Sequence, residues 1–308
     1  MMIKKWLRLT AGLAGSLLVF TAHTTVEHSS TTPLKTLHSV HALQASWAFF
    51  GRVNNENGEK FQYFFQIQRQ GQQLDGVAAI VDVQKRSLLL YEKGQGIIEG
   101  KTSSHWQAGH LFLQFNSITN SWVFGLNSAE KKGFNFKVDM LGSVDENYTK
   151  EQRLQKDLHV LLNQTGRLNG HLQFGASATD VFVTAKQSWF EQIWTNEPQS
   201  FNHPLTSVIC EVNDESFYNI SKPEKDSLQA SISSWYDKNN ELQVMSQFMS
   251  LKQKNAEKYT IELVSPKLTL NLQNMLPSMP KNQEIILGLL EKPLEGACVI
   301  AKNTLIKV

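Results

Sequence analysis

Apolar and polar residues alternate with period two over several stretches of the chain. In Phe61-Gln-Tyr63-Phe-Phe65-Gln-Ile67-Gln and Phe134-Asn-Phe136-Lys-Val138-Asp-Met140 one face is apolar and the other largely polar, as half-buried antiparallel strands require. Tyr259-Thr-Ile261-Glu-Leu263 and Leu268-Thr-Leu270-Asn-Leu272-Gln repeat the pattern, with Pro266 punctuating the step between them. Leu168-Asn-Gly170-His-Leu172-Gln-Phe174 adds another run. Turn-forming clusters at Asn54 to Gly58, Ala129 to Gly133, Asn213-Asp214 and Asp237 to Asn240 sit between these runs at hairpin-like spacing. Short strands joined by regular turns predict an all-β sandwich or barrel.

One segment breaks the rhythm. Between Glu146 and Asn163, Leu154, Leu158 and Leu161 recur at helical spacing among charges, which predicts a short surface helix or a connection rather than a strand. The polar stretch Thr195 to His203, carrying Pro198, lies between two strand-rich halves and reads as a linker. It divides the chain into one β-domain from Leu43 to Asn196 and a second from Glu197 to Val308.

Composition narrows the function more by exclusion. The 308 residues include 30 basic and 28 acidic side chains, and no basic run lies outside the extreme N-terminus, so the chain lacks the electrostatic footprint of a nucleic-acid binder. At the N-terminus, Lys4, Lys5 and Arg8 precede the apolar stretch Leu9 to Phe20 and then small residues around Ala22. This predicts a secretory leader over residues 1–22, too short for a comfortable membrane span, with an uncleaved N-terminal anchor as the alternative, and an exported, periplasmic or secreted mature protein without a membrane span. Two cysteines, Cys210 and Cys298, exclude a disulfide-rich scaffold or a multi-cysteine metal module. They are compatible either with a disulfide in an oxidising compartment or with two buried thiols.

The usual catalytic signatures are absent: no G-x-S-x-G elbow, phosphate loop or H-E-x-x-H is present. Gly94-Gln-Gly96-Ile-Ile-Glu-Gly100 has the wrong spacing for a dinucleotide fingerprint. Neither His38 with His41 nor His105 with His110 has the acidic neighbours of a metal site. No cofactor or metal is expected. Asn147, Asn163 and Asn219 begin N-x-S/T triplets. The most specific constellation is Ser188-Trp-Phe-Glu191-Gln-Ile-Trp194, a carboxylate bracketed by two indoles. Such surroundings desolvate an acid and raise its pKa, which suits general acid work on an apolar substrate. The same residues also fit an inter-domain apolar plug with Glu191 pointing to water.

These residues resemble the AttH and hydroxyneurosporene synthase (carotenoid hydratase) family. Trp47-Ala-Phe-Phe-Gly51 with Asn57-Gly58-Glu59 is similar to the family's opening, Val77-Ala-Ala-Ile-Val-Asp82 stands at its H-f-A-x-x-D motif, and Val183 to Trp194 resembles the strands leading to W-x-D-H-x-W. Tyr259 to Leu272, Gln283-Glu284 and Leu294-Glu295-Gly296-Ala297 resemble its closing segments. The resemblance implies two lipocalin-like antiparallel β-barrels in tandem. It implies catalytic positions at Asp82, Glu191 and Glu295, and ligand-facing walls at Trp47, Trp189 and Trp194. The family's histidines are replaced: Val77 and Gln192 stand in their places, and neither can transfer a proton.

Three functions follow as expectations. The first is an exported two-barrel protein that binds a lipophilic small molecule, as a catalytically degenerate relative of the hydratases. The second is an active hydratase or hydrolase type of enzyme using a buried carboxylic acid. The third is a structural or interaction module whose barrels are filled by side chains. Convergence of the three acids on one cavity would favour the second.

Overall fold

Every one of the five alternating runs forms a strand. The structure, a computed structural model, describes residues 42–98, 105–127, 132–140, 152–155, 158–174, 180–196, 205–222, 230–239, 241–243, 245–246, 248–276 and 285–302. The expected leader lies outside the described residues, as do most of the expected turn at Ala129 to Gly133 and most of the linker. Among the described residues there is no helix.

The first sheet contains thirteen strands. They are β1 (Gln44–Asn55), β2 (Lys60–Gln70), β3 (Gln73–Asp82), β4 (Ser87–Ile97), β5 (His105–Ala108), β6 (Leu111–Asn116), β7 (Ser121–Asn127), β8 (Gly133–Asp139), β9 (Gln152–Gln155), β10 (Leu158–Gln164), β11 (Leu168–Gln173), β12 (Asp180–Ala185) and β13 (Trp189–Thr195). They pair in the order β4-β3-β2-β1-β12-β11-β8-β7-β6-β5, while β13 also pairs with β1 and carries β10 and β9. The ends of the path meet where β4 passes β5. A Cβ on Gly94 or Gly96 would lie 2.0 Å from the carbonyl oxygen of Ala108 or Gln107, and the Gly109 N–H donates to the Gln95 carbonyl at 2.8 Å. The glycine run that fails as a nucleotide motif therefore serves close backbone approach at the seam of a barrel.

The second sheet has nine strands: β14 (Thr206–Val212), β15 (Glu215–Lys222), β16 (Ala230–Tyr236), β17 (Leu242–Gln243), β18 (Met249–Gln253), β19 (Lys258–Leu263), β20 (Leu268–Asn274), β21 (Ile285–Leu290) and β22 (Gly296–Lys302). Its order, β17-β16-β15-β14-β22-β21-β20-β19-β18, is that of a curled sheet. The chain is thus all-β, built of two curled, nearly closed antiparallel sheets, as tandem lipocalin-like barrels require.

Three apolar layers follow from strand alternation. Inside the first barrel Trp47, Phe49, Phe65, Trp122, Phe124 and Phe190 form a core of rings, with Phe49 stacked on Phe124 at 4.2 Å. The second sheet encloses Val208, Phe217, Trp235, Ile261, Leu272 and Ile300. Between the sheets, Phe50, Phe64, Val160 and Ile193 of the first pack with Ile209, Tyr218, Leu287 and Val299 of the second.

The expectation of a helix or connection around Leu158 is corrected by this layering. Leu158, Val160 and Leu162 face the inter-sheet layer while Leu161 faces the first barrel's core, so β10 is a strand buried on both faces. Such a strand loses the polar alternation that announces a half-exposed one. The cysteine alternatives also resolve: Cys210 faces Cys298 across β14 and β22, and the two form a disulfide at a sequence separation of 88. Closing a loop of that length stabilises by about 4–5 kcal/mol on the chain-entropy account. Asn163 and Asn219 are 6% and 1% exposed, so neither triplet offers an accessible glycan acceptor on the folded chain, and Asn147 lies outside the described residues.

Candidate functional site

The three expected catalytic carboxylates occupy different environments. Asp82 ends β3 and caps the turn that follows, accepting the Lys85 backbone N–H at 2.8 Å and pairing with the Lys85 ammonium at 3.0 Å. Burial opposes its charge, but these interactions with Lys85 prevail and hold its carboxyl below the usual range, so it is an ionised turn anchor. Glu295 is exposed. Its backbone N–H donates to Asn213 Oδ1 at 3.1 Å and its carbonyl accepts the Asn213 N–H at 2.8 Å, which ties two turns together.

Glu191 differs from both. It is 2% exposed, stands on the inter-sheet face of β13, and accepts a short hydrogen bond from the Ser207 hydroxyl of β14. Burial raises its pKa to about 7, against the opposing effect of that hydrogen bond.

Strand register does not bring the three together. Glu191 is level with Ala48, Gln66 and Val77 on successive strands, which leaves Asp82 three strands away and five residues further along β3. That is roughly 14 Å across and 16 Å along the sheet. Glu295 adjoins Gly296, the partner of Val212, at the other end of β14 from Ser207.

The three tryptophans divide in the same way. Trp189 and Trp194 bracket Glu191 in sequence, but alternation sends Trp189 to the inter-sheet layer and Trp194 into the first barrel. Trp194 and Trp47 are packed core there, with Trp47 stacked on Trp106 at 4.7 Å. Only Trp189 remains beside a space, with edge contacts to Tyr218 and Tyr236 at 5.8 and 5.5 Å.

That space is a crevice of about 620 Å³ between the two sheets, lined among others by Arg52, Ser188, Trp189, Glu211, Asp214 and Lys238. Glu211, on β14, shares a face with Ile209 and points at the first sheet. Part of the residue still meets solvent, but its Oε2 is enclosed, as is the Gln62 Nε2, and neither atom makes a hydrogen bond of ordinary geometry. Burial pushes the Glu211 carboxyl up from its ordinary value, while the Arg52 charge and the Gln62 amide pull the other way. Behind it, the Tyr63 hydroxyl shares a short hydrogen bond with Ser188, whose own hydroxyl donates to the Phe50 carbonyl at 3.1 Å. Tyr63 is raised by burial, with Glu211 adding to the effect. Gly51 leaves room for this pair, since a Cβ there would lie 2.9 Å from Ser188 Oγ.

The arrangement offers an enclosed carboxyl whose charge burial opposes, a cation beside it, and one indole in an otherwise largely polar lining. Sequence reasoning missed Glu211. The available signal was a lone carboxylate in the apolar run Ser207-Val-Ile-Cys-Glu-Val212, a strand whose polar members need inward partners. Among the described residues no three His, Cys, Asp or Glu side chains gather as metal ligands.

No protein-family model matches the chain, and no curated protein matches it by sequence. Solved structures do. An AttH-type protein of Nitrosomonas europaea superposes with a TM-score of 0.56 at 9% identity, over 84% of this chain and 92% of that one. Kievitone hydratase from Nectria haematococca gives a TM-score of 0.56 at 9% identity, over 86% and 89%. The chain shares their fold. The likeness is one of architecture and spans both barrels, which supports the fold that the sequence resemblance implies.

Proposed function

We propose that the protein binds a small molecule carrying both polar and apolar groups in the crevice between its barrels and that Glu211 protonates it there, in the addition or loss of water. One observation carries the reading: a carboxyl with an enclosed oxygen that lacks a hydrogen bond of ordinary geometry, its pKa raised by burial, lies on the wall of a crevice of ligand size. Buried polar atoms are rarely left unsatisfied, and the exceptions cluster where a ligand or reaction completes them. A carboxyl kept neutral has a proton to give.

In hydration of a carbon–carbon double bond, the Glu211 proton bonds one alkene carbon and a water oxygen bonds the other. The proton shed by that water returns to the Glu211 carboxylate, so atoms and charge balance. Arg52 stabilises the carboxylate between the two steps, and Trp189 supplies an apolar wall. The fold shared with kievitone hydratase supports the reaction class. In this reading Asp82 and Glu295 hold turns, and Glu191 joins the sheets. Export from the cytoplasm, proposed from the N-terminal pattern, is supported by the Cys210–Cys298 disulfide.

Mass spectrometry of compounds that copurify with natively expressed protein tests the proposal. The wild type is expected to carry two compounds differing by one water, and Glu211→Gln only the unreacted member. The same compound pair in the same ratio in both proteins would contradict it, and a single compound in both would mean binding without turnover.

A further inference from the structure

We propose that the mouth of the second barrel is a second small-molecule site, separate from the crevice, that takes a flat, neutral, apolar compound such as an aromatic ring system. A cavity of about 410 Å³ opens there, with Val212, Trp235, Pro266, Leu268 and Leu294 on its walls. Its volume lies within the range of ligand pockets, roughly 300–1,000 Å³. The first barrel's interior is taken up by stacked rings, whereas this end of the second barrel leaves apolar wall uncovered. Water gains little there, because an apolar wall offers it few of the partners that an ordered water needs.

The walls also suggest the ligand's shape and charge. Trp235 stacks on Phe217 with centroids 5.2 Å apart and planes at 6°, so Phe217 covers one side of the indole, and Trp235 also lines the cavity. A planar compound extends that stack with favourable ring geometry. The lining carries one charge of each sign, Glu215 and Lys267, so neither an anion nor a cation is selected. The site differs chemically from the crevice because Glu211 lines the crevice and not this cavity, although Val212, Asn213 and Glu215 border both spaces. The β14–β15 turn forms the lip between the two spaces.

The test uses N-phenyl-1-naphthylamine, whose fluorescence rises on entering apolar surroundings, titrated into the whole protein. Saturable binding is expected. Leu294→Glu, which puts a charge in the wall, should weaken it by roughly tenfold or more, and Glu211→Gln, on the crevice side, should leave it unchanged. A variant that keeps the fold out of the question is Gln243→Cys at the exposed rim. Because Cys210 and Cys298 are joined, the new thiol is the one free cysteine. Coupling it to a polyethylene glycol maleimide should abolish binding that the unlabelled variant retains. Absence of saturable binding to the wild type, or binding that survives the bulky label, would overturn the proposal. Loss of binding in Glu211→Gln with retention in Leu294→Glu would place the probe in the crevice instead.

Discussion

Glu191 and Glu211 show how one residue type takes different roles a few residues from the same interface. Glu191 is sealed between the sheets with Ser207 as its partner, so its raised pKa is a statement about stability. The folded chain holds that proton up to about pH 7, whereas the unfolded chain releases it near 4.5. Folding stability therefore falls as pH rises between those values, by about 3 kcal/mol in all. Glu191→Gln keeps an oxygen for the Ser207 hydroxyl but cannot ionise. Urea unfolding at pH 4.5 and pH 8 should show the wild type losing stability between the two and the variant losing about 3 kcal/mol less, whereas equal losses would contradict the assignment. The flanking indoles left open whether Glu191 is buried or points to water, and of the two only Trp189 shares its face. The partner of Glu191 was not legible either, because Ser207 comes from the other sheet and no local pattern links the two. Glu211 was hidden for the same reason, since the enclosure of its carboxyl comes from Gln62 and Arg52 on the first sheet.

At the scale of strands, legibility tracks solvent. β8, β11, β19 and β20 have one wetter face, and their alternation announced them; β2 alternates although both its faces are covered, because Gln62 and Gln66 stand buried on its inter-sheet side. β10 and β13 are covered on both sides, and there the period-two signal fades, so β10 read as a helix and β13 as a cluster of aromatic residues. The expected convergence of Asp82, Glu191 and Glu295 depended on side-chain direction and register, which a one-residue step reverses. The barrel seam depends on glycine in the same strict way. Gly96→Ala would place a methyl carbon 2.0 Å from the Gln107 carbonyl oxygen, an overlap with main chain that no side-chain rotation relieves. Its expected cost is about 3 kcal/mol or more, read as a lower midpoint in denaturant unfolding. An unchanged midpoint would mean that β4 and β5 are not joined as described.

At the scale of the molecule, the apolar layer between the sheets holds the barrels together, with Gln164 donating to Ser216 at 3.1 Å and Arg86 to the Leu290 carbonyl at 3.1 Å. The layer gives way to the crevice around Arg52, Ser188 and Glu211, where Arg52 reaches Asp214 only at 3.9 Å. An exposed pair at that distance contributes little, about 0–1 kcal/mol, which leaves the Arg52 charge available to Glu211. The proposed chemistry depends on Glu211 being neutral when ligand enters. Carbon-13 NMR of glutamate-labelled protein, titrated through the acid range and assigned by comparison with Glu211→Gln, measures this directly. The Glu211 carboxyl should titrate above the ordinary glutamate range; a midpoint at or below that range would mean that the group enters the crevice already ionised, with no proton to give.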